Sequence, residues 1–345
     1  MRIVPKREFK GTHYQHGMQS GSICAGEFDK FKICVEATKV NPKKLTGQIS
    51  MFRNFFPEYL DFIKGLAEGA NVDHEKLAYH ILTKYADMGG CTIFGVKTAA
   101  GAFVGRNYDW VPEAKDVIEV YTSLFPEHLK RYSTISVTDM DVEQGGKNLL
   151  YHAPIDMINS EGLYIGVTYS FYSGQDGFGI PALQMRQLVA ETCANVLEAL
   201  KLFEKVPVSN PKNFFIADRF GNMAVVEHTG GGSTNFRIIL PDRNGILGKT
   251  NHLLYPDFRS MDRNRVPKDS YPRYDAAKRM IKEELGMITL NVMGGIFSTP
   301  PVYVGSDESY PTIWTLLMDM ERGIYRLQYG EPNERGERSK EPLKI

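Results

Sequence analysis

Residues 91–108 alternate apolar and small or polar side chains on both sides of a break at Thr98-Ala-Ala-Gly101. A period of two interrupted by a short turn specifies a β-hairpin. With the turn centred between Ala99 and Ala100, facing residues sum to 199, which sets Cys91 opposite Tyr108. Arg106 and Asp109 then return to the thiol. A cysteine placed beside a guanidinium and a carboxylate is a candidate nucleophile. Arg106 and Asp109 are three apart and cannot share one face of a regular strand, so the sequence predicts either a bulge or a strand that ends before Asp109.

The rest of the chain supports a layered α+β protein. Up to residue 90 the pattern is mainly helical: Phe56, Tyr59, Leu60, Ile63, Leu66 and Ala67 recur at helical spacing, with Gly69 as the expected stop. Asp73 is the expected cap of a second helix carrying Leu77, Ile81 and Tyr85. Strand-like runs follow at 91–97, 102–108, 116–122, 163–170, 213–219, 223–228, 235–240, 312–319 and 323–330. Residues 181–206 read as two helices, started by Pro181 and capped by Thr192, and 273–285 as another. Segment 255–272 reads as an ordered active-site loop and 331–343 as a solvated tail. Hairpin strands with helices in separate blocks, and no clear linker, point to one domain with packed sheets.

Composition excludes several functions. Of 345 residues, 42% are apolar and 24% charged, enough for a full core. Lys plus Arg equals Asp plus Glu at 41 each, so no net field recruits nucleic acid or an anionic membrane. The first ten residues are too charged for a signal peptide, and no run reaches the length of a membrane span. Cys24, Cys34, Cys91 and Cys193 form no Cys-x-x-Cys pair, so a reducing cytoplasm is the expected location. His13 with His16, and His74 with His80, lack the spacing and third ligand of a metal site and read as surface or capping residues. No metal or other cofactor is expected. Gly230-Gly231-Gly232 reads as a hairpin connection, and no Gly-x-Ser-x-Gly elbow occurs. Tyr164, Tyr169, Phe171, Tyr172 and Phe178 are candidates for an acyl pocket, and Cys24, Cys34 and Cys193 for core residues.

Gly90-Cys91-Thr92 followed by Gly105-Arg-Asn-Tyr-Asp-Trp110 resembles the N-terminal-nucleophile hydrolases of linear amides, the group of choloylglycine hydrolase, penicillin V acylase and isopenicillin N acyltransferase. Asn159-Ser-Glu-Gly-Leu163, Asn213 to Asp218, Leu247-Gly-Lys-Thr-Asn-His252 and Thr312-Ile-Trp314 follow in matching order, so the resemblance covers nearly the whole chain. It looks nearest the acyltransferase branch. It implies a four-layer αββα sandwich and autocatalytic cleavage after Gly90, giving an α chain of 1–90 and a catalytic β chain of 91–345.

The same resemblance assigns roles. Cys91 would be the nucleophile, Arg106 and Asp109 would orient it, and Asn251 would lend its side-chain amide to the oxyanion hole. Tyr169 would give its backbone N–H to the same oxyanion, and Arg273, ahead of a helix, matches a late active-site arginine. The implied partner is a small acyl-amide substrate; oligomeric state stays open, with homo-oligomers among relatives. His-Leu-Leu-Tyr-Pro after Asn251, and Tyr169 itself, depart from the bile salt hydrolase pattern, so that substrate is not implied. Acyl transfer to an amine or thiol, and an unprocessed binding protein with an inert Cys91, remain as alternatives.

Overall fold

The computed structural model describes residues 4–27, 29–83, 89–139, 154–170, 177–259, 268–331 and 339–343. Strand β1 (Lys6–Lys10) precedes five helices: α1 (His13–Glu27), α2 (Asp29–Glu36), α3 (Pro42–Phe55), α4 (Pro57–Ala70) and α5 (His74–Thr83). Asn41 and Asp73 start α3 and α5 by accepting from the N–H groups of Lys44 and Lys76. Helix α4 does not stop at Gly69. It runs through Ala70 and ends on Asn71 in the left-handed conformation, φ 52°. Gly69 serves packing instead. Gly17 and Gly21 of α1 interlock with Gly65 and Gly69 of α4 so closely that a Cβ on Gly65 would lie 2.0 Å from the Tyr14 carbonyl oxygen.

The hairpin follows as β2 (Gly90–Thr98) and β3 (Gly101–Asp109), then β4 (Glu119–Leu124), β5 (Thr134–Thr138), β6 (Asp156–Asn159) and β7 (Tyr164–Thr168). Helices α6 (Ala182–Thr192) and α7 (Val196–Lys205) lead to β8 (Lys212–Ala217), β9 (Met223–His228), β10 (Phe236–Ile239) and β11 (Ile246–Lys249). Helices α8 (Pro256–Arg259), α9 (Ser270–Glu283) and α10 (Leu290–Phe297) precede β12 (Thr312–Asp319), β13 (Ile324–Tyr329) and β14 (Ser339–Leu343).

An eight-stranded sheet runs β1-β4-β5-β6-β7-β8-β9-β10 and a six-stranded sheet runs β11-β2-β3-β12-β13-β14. Helices α1–α7 cover the outer face of the first through a core including Phe52, Leu66, Leu188, Phe214 and Val226. Between the sheets lies a second core of Ile93, Val104, Ile135, Phe215, Val225 and Trp314. Helices α9 and α10 cover the outer face of the second through Phe94, Phe103, Ile281, Phe297 and Leu317. The result is a four-layer αββα sandwich. No helix among the described residues is long and apolar enough to cross a membrane.

Several local expectations change in this setting. Asn195, not Thr192, caps α7, accepting from the Glu198 N–H at 3.0 Å; Thr192 donates back to Leu188 within α6. The tail is not wholly solvated, because 339–343 adds an antiparallel strand to the open edge of β13. His13 and His16 are buried where α1 meets the eight-stranded sheet, His13 lying 2.7 Å from the Glu191 carboxylate, and His80 is buried against Thr38. Cys24 and Cys193 are core residues, while Cys34 is half-buried at the core margin. Strands β1, β5, β6 and β11 have no counterpart in the period-two reading; each has five residues or fewer and is defined by its partners.

Candidate active site

The hairpin has the expected register: Cys91 faces Tyr108, and Gly90 faces Asp109. Strand β3 nevertheless runs unbroken through Asp109, so neither the predicted bulge nor the early strand end occurs. The irregularity sits in the neighbouring β12, between Thr312 and Trp314. Arg106 and Asp109 simply occupy opposite faces. Arg106, Tyr108 and Cys91 point into the layer between the sheets, while Asn107 and Asp109 point toward α9 and α10. Asn107 is structural, donating to the carbonyls of Phe297 and Val302 at 3.0 and 2.8 Å.

On the inner face, Arg106 Nη2 lies 3.6 Å from Cys91 Sγ and donates to the Val167 carbonyl at 3.4 Å. Its guanidinium lies 4.6 Å from the Tyr108 ring centroid, a cation–π distance. Fully buried, it is held charged by Asp156, whose Oδ1 is 2.9 Å from Nε. Asp156 is the main site residue that sequence reasoning missed. It also accepts from Tyr164 Oη at 2.9 Å and Trp314 Nε1 at 3.0 Å, so three elements fix it. Burial pushes the Cys91 thiol above its ordinary value, and Arg106 is the main influence in the other direction.

The backbone of Cys91 is held from the other side of the hairpin. Its N–H donates to Asn251 Oδ1 at 3.2 Å and its carbonyl accepts from Arg273 Nη1 at 2.7 Å. Arg273 emerges as the hub: Nη1 also donates to Thr92 Oγ1 at 2.8 Å, Nη2 to Asn251 Oδ1 at 2.8 Å, and Nε to Asp269 at 2.7 Å. Its Nη1 lies 3.6 Å from Asp109 Oδ2. Asp109 Oδ1 accepts from Thr312 Oγ1 at 2.8 Å, whereas Oδ2 accepts no hydrogen bond among the described residues. Burial raises the Asp109 carboxyl above the usual carboxylate range, opposed by Arg273 and Thr312.

Asn251 Nδ2 donates to the carbonyls of Tyr169 at 3.2 Å and Gly89 at 3.4 Å. All six predicted residues therefore meet around Cys91. The expected aromatic pocket is only partly present. Tyr169 lines the cleft over Cys91, joined by Tyr108, Trp110, Ile155, Val167 and Leu183. Tyr164 is buried on Asp156, Phe178 is exposed, and Phe171 and Tyr172 lie outside the described residues.

Residues 96–334 match the family model for acyl-coenzyme A:6-aminopenicillanic acid acyl-transferase. The chain belongs to this acyltransferase family. The matched span begins just after Cys91 and takes in the other five site residues. Penicillin V acylase from Agrobacterium tumefaciens is a structural neighbour of this family member: 18% identity, 70% of this chain and 83% of that one, TM-score 0.50. A mutant of conjugated bile acid hydrolase from Clostridium perfringens aligns at 14% identity over 74% and 97% of the chains, TM-score 0.45. The first shares the αββα fold with the acyltransferase-family chain. Among curated proteins, no significant match is found.

Proposed function

We propose that this chain is a self-processing cysteine N-terminal-nucleophile enzyme, one domain cut between Gly90 and Cys91, that breaks a linear, non-peptide N-acyl amide through an acyl-enzyme. The observation that carries the reading is the convergence on Cys91, with Sγ 3.6 Å from Arg106 and the backbone bonded to Asn251 and Arg273. In self-cleavage, Sγ attacks the Gly90 carbonyl carbon and the Gly90–Cys91 C–N bond breaks, the departing nitrogen taking up the thiol proton to become the Cys91 α-amine. Water then hydrolyses the thioester, leaving a Gly90 carboxylate and the free thiol. Burial disfavours the thiolate, so the thiol needs a base. An α-amine, reference pKa about 7.7–8.0, suits the task. Asp109 Oδ2 supports this role, since it has an unused acceptor and lies 3.3 Å from where a Gly90 side chain would begin.

In turnover, the α-amine takes the thiol proton as sulfur bonds to the acyl carbon, and returns it to the leaving nitrogen. Asn251 Nδ2 and the Tyr169 backbone N–H stabilise the oxyanion; withdrawal of the Gly89 carbonyl after cleavage would release Nδ2 for this purpose. The cleft, mainly apolar and aromatic with Asp139 and Lys212 also in its wall, suits an apolar acyl group.

Acyl transfer is a second reading, favoured by the name of the matched family. An amine instead of water would then attack the thioester. The same residues serve both outcomes, and product analysis with and without 6-aminopenicillanic acid separates them. Self-processing is tested by the intact mass of the purified protein beside Cys91→Ala. Two fragments meeting at Gly90 and Cys91, and an uncut variant, are expected. A single full-length mass for both would overturn the reading and favour an inert binding protein.

A further inference from the structure

Glu227 and Lys249 are completely buried, and they belong to different sheets. Glu227 lies near the end of β9 in step with Met223 and Val225; Lys249 ends β11 in step with Leu247. Both therefore face the layer between the sheets, and their charged groups meet there. The carboxylate has further work. Oε1 accepts from the Leu254 N–H at 2.6 Å and Oε2 from the Tyr255 N–H at 2.9 Å, while Lys249 Nζ also donates to the His252 carbonyl. Three backbone groups just beyond Asn251 are folded around one ion pair. A buried ion pair is a poor way to gain net stability over an apolar pair of the same volume. Fixing a loop is the better account of its presence.

The loop matters because of what it carries. Tyr169 follows β7 of the eight-stranded sheet, and Asn251 follows β11 of the six-stranded sheet. Hydrogen bonding within either sheet cannot set the distance between them. Contacts across the gap must do so. Asn251 Nδ2 reaches the Tyr169 carbonyl itself at 3.2 Å, Thr168 Oγ1 donates to the Thr250 carbonyl at 2.6 Å, and the Glu227–Lys249 pair adds a further contact on the far side of Asn251. We propose that Glu227 and Lys249 are positioning residues for the oxyanion hole, clamping segment 249–255 across the two sheets so that the Asn251 amide stays aimed at the carbonyl held on Cys91. The proposal rests on the oxyanion reading of Asn251. It predicts that the pair acts on acylation and leaves the nucleophilicity of the thiol alone.

Two reactions of Cys91 separate these effects in the full chain. Acylation by p-nitrophenyl acetate passes through an oxyanion; alkylation by iodoacetamide does not. In E227Q/K249M, which removes both charges together, acylation should fall about tenfold or more while alkylation stays within about twofold. Adding N251A to that variant should cause no further loss, because both changes remove one interaction. E227Q alone keeps the side-chain shape and should show the same selective loss, which covers a double variant that folds poorly. Normal acylation in E227Q/K249M beside a slow N251A would overturn the positioning role alone. Acylation and alkylation falling together would also overturn it. A full-speed N251A would instead overturn the oxyanion reading itself.

Discussion

Arg273→Lys is the sharpest test of how the site is held. The guanidinium serves four acceptors at 2.7–2.8 Å: the Cys91 carbonyl, Thr92 Oγ1, Asn251 Oδ1 and Asp269 Oδ2. A lysine places one nitrogen near the position of Nη1 and can keep the first two, with its charge still close to Asp109. It loses the fork that reaches Asn251 and Asp269. The Asn251 bond is buried and charge-assisted, contributing about 1.5–2 kcal/mol. The Asp269 carboxylate is 49% exposed, so solvent reduces its share to about 0.5–1 kcal/mol. Together the loss is about 2–3 kcal/mol, or roughly 3–4 °C in Tm for a chain of this size. With Oδ1 of Asn251 no longer held by Arg273, the amide can turn, and Cys91 acylation by p-nitrophenyl acetate should slow about tenfold or more. Differential scanning calorimetry and a stopped-flow acylation assay measure both effects. An Arg273→Lys protein with unchanged Tm and unchanged acylation would refute the hub.

Other expectations are equally direct. Gly90→Ala places a Cβ 3.1 Å from Asp109 Cβ and 3.3 Å from its Oδ2, inside a carboxyl pinned by Thr312; self-cleavage, followed by intact mass over time, should slow, and a wild-type rate would contradict this packing. Gly65→Ala drives a Cβ to 2.0 Å from the Tyr14 carbonyl. Helices α1 and α4 must then separate, at a cost of about 3 kcal/mol in urea unfolding, and an unchanged midpoint would refute the close crossing. Burial pushes His16 and His228 down to about 4 and His252 to about 3. These folded-state values lie below the unfolded one, so the stabilisation is complete above pH 6.5 and is lost as pH falls toward 4. His16 and His228 should each cost about 2 kcal/mol between pH 7 and 5. His13, which burial would lower but Glu191 raises, offsets part of that loss. The urea midpoint should drop at pH 5, and equal midpoints at the two values would remove the argument.

The hairpin register was legible because it is local. Alternation and a two-residue turn fix Cys91 opposite Tyr108 whatever the rest of the chain does. Caps such as Asp73 were legible for the same reason, since donor and acceptor lie within one turn. The residue motifs around Cys91, Arg106, Asp109 and Asn251 could likewise be recognised in order along the chain. The faces they use could be argued only up to parity: two structural escapes were predicted, and the sheet used neither, because each face of β3 meets a different part of Cys91 and its surroundings.

Tertiary structure alone decided the remainder. Asp156 lies on a four-residue strand, 50 positions from Arg106, with no local pattern to mark it. Arg273 reads locally as a helix-start arginine, and only the packing of α9 on β2 and β11 brings its fork to Cys91 and Asn251. Glu227 and Lys249 are ordinary strand residues until two sheets close on each other. Sequence determines what repeats within a few residues, through backbone periodicity and short hydrogen bonds. Partners chosen across layers depend on which surfaces the cores bring together, and those surfaces exist only in the folded chain.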